Sequence, residues 1–127
     1  MTLPKADEEY LNGKGLAWEY LNEAAGSDRL LVIRDVRLAA GKYDHEAADV
    51  LFRIPAGFPT AVLDMYWVCP VLTLKSGGAP AAATERATHE NRLWQRFSRH
   101  LPDGRWRPGA DSLKTYLPVV FGELCQP

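Results

Sequence analysis

At 127 residues, with 46% hydrophobic and 24% charged residues, the chain has ordinary globular composition and enough length to bury a core without disulfide staples. Fifteen basic against sixteen acidic residues leave a net charge of −1, which argues against a protein held on nucleic acid by its overall charge. No segment reaches the ~18 uninterrupted apolar residues of a membrane span, the N-terminus lacks the apolar core of a signal peptide, and two cysteines are too few for a disulfide framework. A single soluble domain of the reducing cytoplasm is expected.

In "LPKADEEYLN", Pro4 followed by Asp7, Glu8 and Glu9 suits the first turns of a short helix. "GLAWEYLNEA" then alternates Trp18 and Tyr20 against Glu19, as a strand does, and "GSD" at 26–28 supplies a turn. "RLLVIRDVRL" is apolar on both faces, Leu30 and Val32 on one and Leu31 and Ile33 on the other, so it is expected to be covered on both sides. After the connection "AGKYDHEA", the strand "ADVLFRIP" sets Val50, Phe52 and Ile54 against Asp49 and Arg53, and Pro55 ends it. "LDMYWVC" is a fourth strand, with Tyr66 and Trp67 facing opposite ways. Four short strands with tight links predict an antiparallel meander.

Residues 75–88, rich in Gly, Pro and Ala, predict a flexible connection or lid. From about Thr88 the spacing of Leu93, Phe97 and Leu101 predicts a short helix with Arg92, Arg96, Arg99 and His100 opposite, stopped by Pro102 and Gly104. The last helix begins at an Asp111 or Ser112 cap and carries Leu113, Tyr116, Leu117, Val120, Phe121 and Leu124 on one stripe, with Pro118 off it. The fold class is therefore α+β, a four-stranded meander packed against C-terminal helices.

A family resemblance rests on "YDH" at 43–45, "LFRIPAGFP" at 51–59, "DMYWV" at 64–68, "WQRFSRH" at 94–100 and "WRPGADSLKTYL" at 106–117. In this order the pieces resemble the ubiquitin-conjugating (UBC) fold, and most closely its divergent bacterial branch, prokaryotic conjugating-enzyme family E. The resemblance implies transfer of a ubiquitin-like protein, single or multi-domain, received from a ThiF-type activating enzyme, with a JAB-type peptidase in the same pathway and no cofactor. In the familiar enzymes a catalytic cysteine precedes the Trp of Trp-x-Pro by eight residues. Here that count from Trp106 lands on Ser98, and Cys69-Pro70-Val71 stands where a His-Pro-Asn motif is usual.

The candidate chemistry follows from these positions. Ser98 is the candidate acyl acceptor, through an oxyester, with His100 as its base. Cys69 is the alternative nucleophile, because a thiol is intrinsically better at acyl transfer, although a free cysteine is more often a small buried hydrophobe. Arg96, Arg99 and Arg105, with Trp94 and Trp106, are the candidate partner-binding residues, the arginines to guide a carboxy-terminal tail or steady an oxyanion and the tryptophans also as core anchors. No HxH, CxxC or HExxH spacing supports a metal at His45 and Asp44, which are expected to fix a turn. Three alternatives stand beside the transferase: a non-catalytic UBC-like adaptor, a nucleic-acid module using the face of Arg92, Arg96, Arg99, Arg105 and Arg107, and a Cys69–His100 hydrolase.

Overall fold

Pro4 fixes its own backbone for a helix start and Asp7 and Glu8 complement the exposed amides of the first turn, so α1 forms over Lys5–Gly13. The structure is a computed structural model and describes residues 3–22, 29–55, 58, 63–99, 106–107 and 110–127. After α1 the chain builds β1 (Trp18–Asn22), β2 (Arg29–Arg37), β3 (Ala47–Ile54), β4 (Met65–Cys69), β5 (Arg86–His89) and β6 (Arg92–Ser98), then α2 (Leu113–Leu124). All strand pairs are antiparallel and the sheet order is β1-β2-β3-β4-β6-β5. The first four strands form the expected meander. The sheet has six strands, not four, because a hairpin follows them.

That hairpin corrects the expectation of a helix from about residue 88. Residues 92–98 are strand β6, and the C-terminal helical part among the described residues is α2 alone. Of the segment expected to be a flexible connection, residues 86–88 lie in β5 and Ala83 is fully buried. Glu90 and Asn91 join β5 to β6 as a two-residue turn, both with positive φ, at 54° and 58°.

The two sheet faces are covered differently. On one, Leu31, Ile33, Val50, Phe52, Ile54, Tyr66, Val68 and Phe97 form the main core with Leu11 of α1 and Leu113, Tyr116, Leu117, Val120 and Leu124 of α2. Ser112 caps α2 in a reciprocal box with Thr115, and the helix runs on through an exposed Pro118. Asp7, only 1% exposed, sends its carboxylate from α1 to the Ser112 hydroxyl and the Leu113 amide, so one helix caps the other.

On the second face Leu30, Val32, Leu51, Trp67, Cys69 and Trp94 form a smaller cluster, with no helix over it among the described residues. The tip of the β5–β6 hairpin reaches back across this face instead. Arg34 Nη1 and Nη2 donate to Glu90 at 3.2 and 2.9 Å, Arg34 Nε donates to Glu19 at 2.8 Å, and Arg92 Nη1 donates to Asp49 at 2.9 Å. His89 packs edge-on to Trp67, with ring centroids 5.6 Å apart. Burial of β2 on both sides thus has two sources, helices on one face and a clasped hairpin on the other.

Candidate functional site

The stretch joining β6 to α2 carries most of the candidate residues. β6 pairs with β4 in the register Met65↔Ser98, Tyr66↔Phe97, Trp67↔Arg96 and Val68↔Gln95. Alternation then places Arg92, Trp94, Arg96 and Ser98 on the second face, and Gln95 and Phe97 toward the main core. Gln95 is fully buried: its Oε1 accepts the Leu72 amide at 2.8 Å, and its Nε2 donates to the carbonyls of Leu72 and Ala83 at 3.1 and 3.0 Å. One side chain thereby stitches the segment after Pro70 to the base of the hairpin.

Ser98 ends β6, half-buried, with its amide on the Ala82 carbonyl at 3.2 Å and its carbonyl taking Arg99 Nη1 at 2.8 Å. Among the described residues nothing hydrogen-bonds its hydroxyl. Cys69 does not sit beside it. Ser98 lies opposite Met65, at the other end of β4 from Cys69, and four strand residues at ~3.3 Å each separate the two by about 13 Å. Cys69 is 9% exposed, beside the Arg92 guanidinium at the clasped end of the second face. His100 and Arg105 lie outside the described residues.

The arginines divide rather than forming one basic face. Arg99 is spent on α2: Nε and Nη2 each reach the Glu123 carboxylate at 2.6 Å, and its carbonyl accepts the Tyr116 hydroxyl at 2.9 Å. That carboxylate raises the Arg99 guanidinium above its ordinary range. Glu123 also accepts the Tyr66 hydroxyl at 2.7 Å, while its backbone carbonyl takes Lys42 Nζ. Burial, and then the Glu123 charge, push the Tyr43 phenol up to about 12, and the Tyr66 phenol higher still.

Arg92 belongs to the clasp on Asp49. Burial raises the Asp49 carboxyl, but the Asp35 amide at 2.9 Å and the guanidiniums of Arg92 and Arg34 outweigh burial and hold it below the ordinary range. Arg107, 77% exposed, leans toward Asp111 at 3.8 Å. Arg96 alone of these has no acceptor for its side chain among the described residues, and its Nε is buried without a partner.

The tryptophans are structural anchors to different degrees. Trp94 is fully buried, donates Nε1 to the His89 carbonyl at 2.9 Å and lies 5.1 Å from Arg92, leaving no surface for a partner. Trp106 is half-buried between Phe58 and Tyr116, with ring centroids 6.1 and 6.5 Å away. Next to it Asp111 accepts the Arg107 amide at 2.5 Å, which fixes the turn into α2.

A family model, Prokaryotic E2 family E, matches residues 3–126, nearly the whole chain. The chain belongs to that family. Neither a curated protein nor a solved structure matches it significantly. Membership associates this E2-like protein with ubiquitin-like conjugation, and so in general with a ubiquitin-like protein and an activating enzyme.

Some residues that build this site gave no signal in the sequence. Gln95, Glu123, Arg34 and Glu90 are separated from what they hold by 12 positions, as Gln95 is from Ala83, up to 81, as Glu123 is from Lys42. Asp44 did give one, and its Oδ1 takes the Thr73 amide at 2.9 Å as a turn-fixing residue should. A cavity of about 450 Å³ opens beside it, lined by Arg37, Tyr43, Asp44, His45, Glu46 and Lys75 among others. Among the described residues no group of acidic, histidine and cysteine side chains is arranged to hold a metal, and no helix is long and apolar enough to cross a membrane.

Proposed function

We propose that this E2-like protein receives a ubiquitin-like protein, single or multi-domain, from a ThiF-type activating enzyme and passes it on, carrying it as an oxyester on Ser98. The observation that supports this reading is the state of Ser98. It is half-buried at the end of β6, its hydroxyl without a partner among the described residues, eight residues before a Trp106 anchored on Tyr116 of α2. The competing nucleophile, Cys69, is tucked beneath the hairpin.

In the transfer, Ser98 Oγ attacks the carbonyl of the modifier's thioester on the activating enzyme. The new C–O bond replaces the C–S bond, a base takes the hydroxyl proton, and the leaving thiolate is reprotonated. His100 is the base in this reading. A JAB-type peptidase in the same cytoplasmic pathway would cleave the modifier. A second reading, the non-catalytic adaptor, is favoured by one observation: among the described residues no imidazole or carboxylate touches Ser98 Oγ. Dispersal of Arg92, Arg96 and Arg99 over two sides of the sheet disfavours the nucleic-acid module.

The test is reconstitution with ATP, the activating enzyme and the modifier, read by intact mass. A reductant-resistant adduct cleaved by hydroxylamine, lost in Ser98→Ala and kept in Cys69→Ala, is the expected result. A thiol-sensitive adduct lost in Cys69→Ala would overturn it, and a stable complex without any adduct would establish the adaptor.

A further inference from the structure

A strand is held by its ladder only as far as its last paired residue, and beyond that point the chain frays unless other groups hold it. β6 stops pairing with β4 at Ser98. The next residue, Arg99, is nevertheless engaged at every polar group it has. Its amide donates to the Asp64 carbonyl at 2.9 Å, and its carbonyl accepts the Tyr116 hydroxyl at 2.9 Å. Its guanidinium reaches Glu123 through Nε and Nη2, each at 2.6 Å, and the Ser98 carbonyl through Nη1 at 2.8 Å. Tyr116 and Glu123 stand on one face of α2, two turns or about 10 Å apart. The helix therefore grips Arg99 at its backbone and, two turns on, at the tip of its side chain.

Both gripping groups are themselves fixed. Tyr116 is fully buried and packs on Phe52 and Trp106, and burial raises its phenol above the ordinary value, so it stays a donor. Glu123 also accepts the Tyr66 hydroxyl at 2.7 Å, and its backbone carbonyl takes Lys42 Nζ and, at 3.4 Å, the Tyr43 hydroxyl. Tying α2 to the sheet would need the ion pair alone. Holding the Arg99 amide and carbonyl as well fixes the backbone after Ser98, while the Ser98 amide is held on Ala82 at 3.2 Å. The Cα–Cβ bond of Ser98 then has one direction, and only rotation about it is left to Oγ. From this convergence we infer that Glu123 and Tyr116 are positioning residues for Ser98, acting through Arg99 to hold the end of β6 in one geometry for acyl transfer. A displacement of about 1 Å at a reacting atom can cost about a hundredfold in rate, so this clamp has a kinetic consequence. Its role in transfer rests on the reading of Ser98 given above; the clamp itself does not.

The test is single-turnover transfer from the charged activating enzyme to the full chain, read by intact mass over a range of activating-enzyme concentrations. Glu123→Gln and Tyr116→Phe are each expected to lower the saturating rate of Ser98 adduct formation at least about tenfold, with the half-saturating concentration unchanged. Val120→Ala, which removes core packing of α2 and no hydrogen bond to Arg99, should keep the wild-type rate. Unchanged rates in the first two variants, or an equal loss in Val120→Ala, overturn the positioning role. A wild type that forms no Ser98 adduct sinks the transfer reading instead, and amide hydrogen exchange then decides the clamp by itself. In Glu123→Gln the Arg99 amide should exchange at least about tenfold faster than in wild type, with the Arg96 amide, held by the Glu85 carbonyl at 3.0 Å, unchanged. Equal Arg99 exchange in the two proteins overturns the clamp.

Discussion

Asp49 shows how much one side chain settles. At the bulge of β2, where pairing slips between Ile33 and Val36, its Oδ1 takes the Asp35 amide and its Oδ2 takes two guanidiniums. Asp7 is the opposite case, a carboxyl desolvated with Oδ2 unpartnered, which burial holds above its ordinary value despite Ser112, Leu113 and Lys114. A carboxyl raised in the folded state binds its proton more tightly there than in the unfolded chain. Its contribution is then complete below about pH 4, where the unfolded carboxyl is also protonated, and is lost as pH rises through the raised value. In urea unfolding, wild type should therefore lose stability relative to Asp7→Asn between pH 4 and pH 7. A difference that is flat, or grows with pH, would contradict this account of Asp7. At the same scale, the sequence pointed to Ser98 by a count, and could not show that Arg99 holds Glu123 while Arg96 has no acceptor among the described residues.

At the scale of elements, the strands β1 to β4 and helix α2 were legible because each carries an unambiguous period. Alternation in "ADVLFRI" matches only a strand, and the stripe from Leu113 to Leu124 matches only a helix. β6 was not legible, for a definite reason. Leu93 and Phe97 are four apart, and four positions return a side chain to the same face of a strand and nearly so on a helix. Glu90-Asn91 is not the usual Asn-Gly of a tight hairpin, so the turn went unrecognised too. The element that tolerates most misfit is α2. Pro118 lies inside it and is exposed, so it offers the helix neither an amide nor packing. Pro118→Ala is expected to raise unfolding stability by about 1–3 kcal/mol, seen as a higher urea midpoint with an unchanged slope. A loss of stability would mean the proline is required by the fold.

At the scale of the whole molecule, the second face is closed by a hairpin rather than by a helix, and the closure hangs on charged contacts. Arg34 joins β1, β3 and the hairpin tip through Glu19, Asp49 and Glu90, and it is 27% exposed, so solvent screens part of this energy. Arg34→Ala should loosen the tip and expose Cys69 beneath it. Alkylation followed by peptide mass mapping should show Cys69 reacting several-fold faster than in wild type, with Cys125 unchanged. An unchanged Cys69 rate would mean the apolar contacts of Trp94 and His89 hold the hairpin by themselves.

By itself the sequence determined the α+β class, the first four strands, the capped last helix and the family, because periodicity, caps and motif order are local properties of the chain. Only the tertiary structure decided which carboxylates Arg34, Arg92 and Arg99 hold, that Cys69 and Ser98 sit at opposite ends of β4, and that a six-stranded sheet replaces a four-stranded one. Those facts depend on strand register and on ion pairs between distant residues. Register is fixed by burying side chains on two faces at once, and no single segment carries that information.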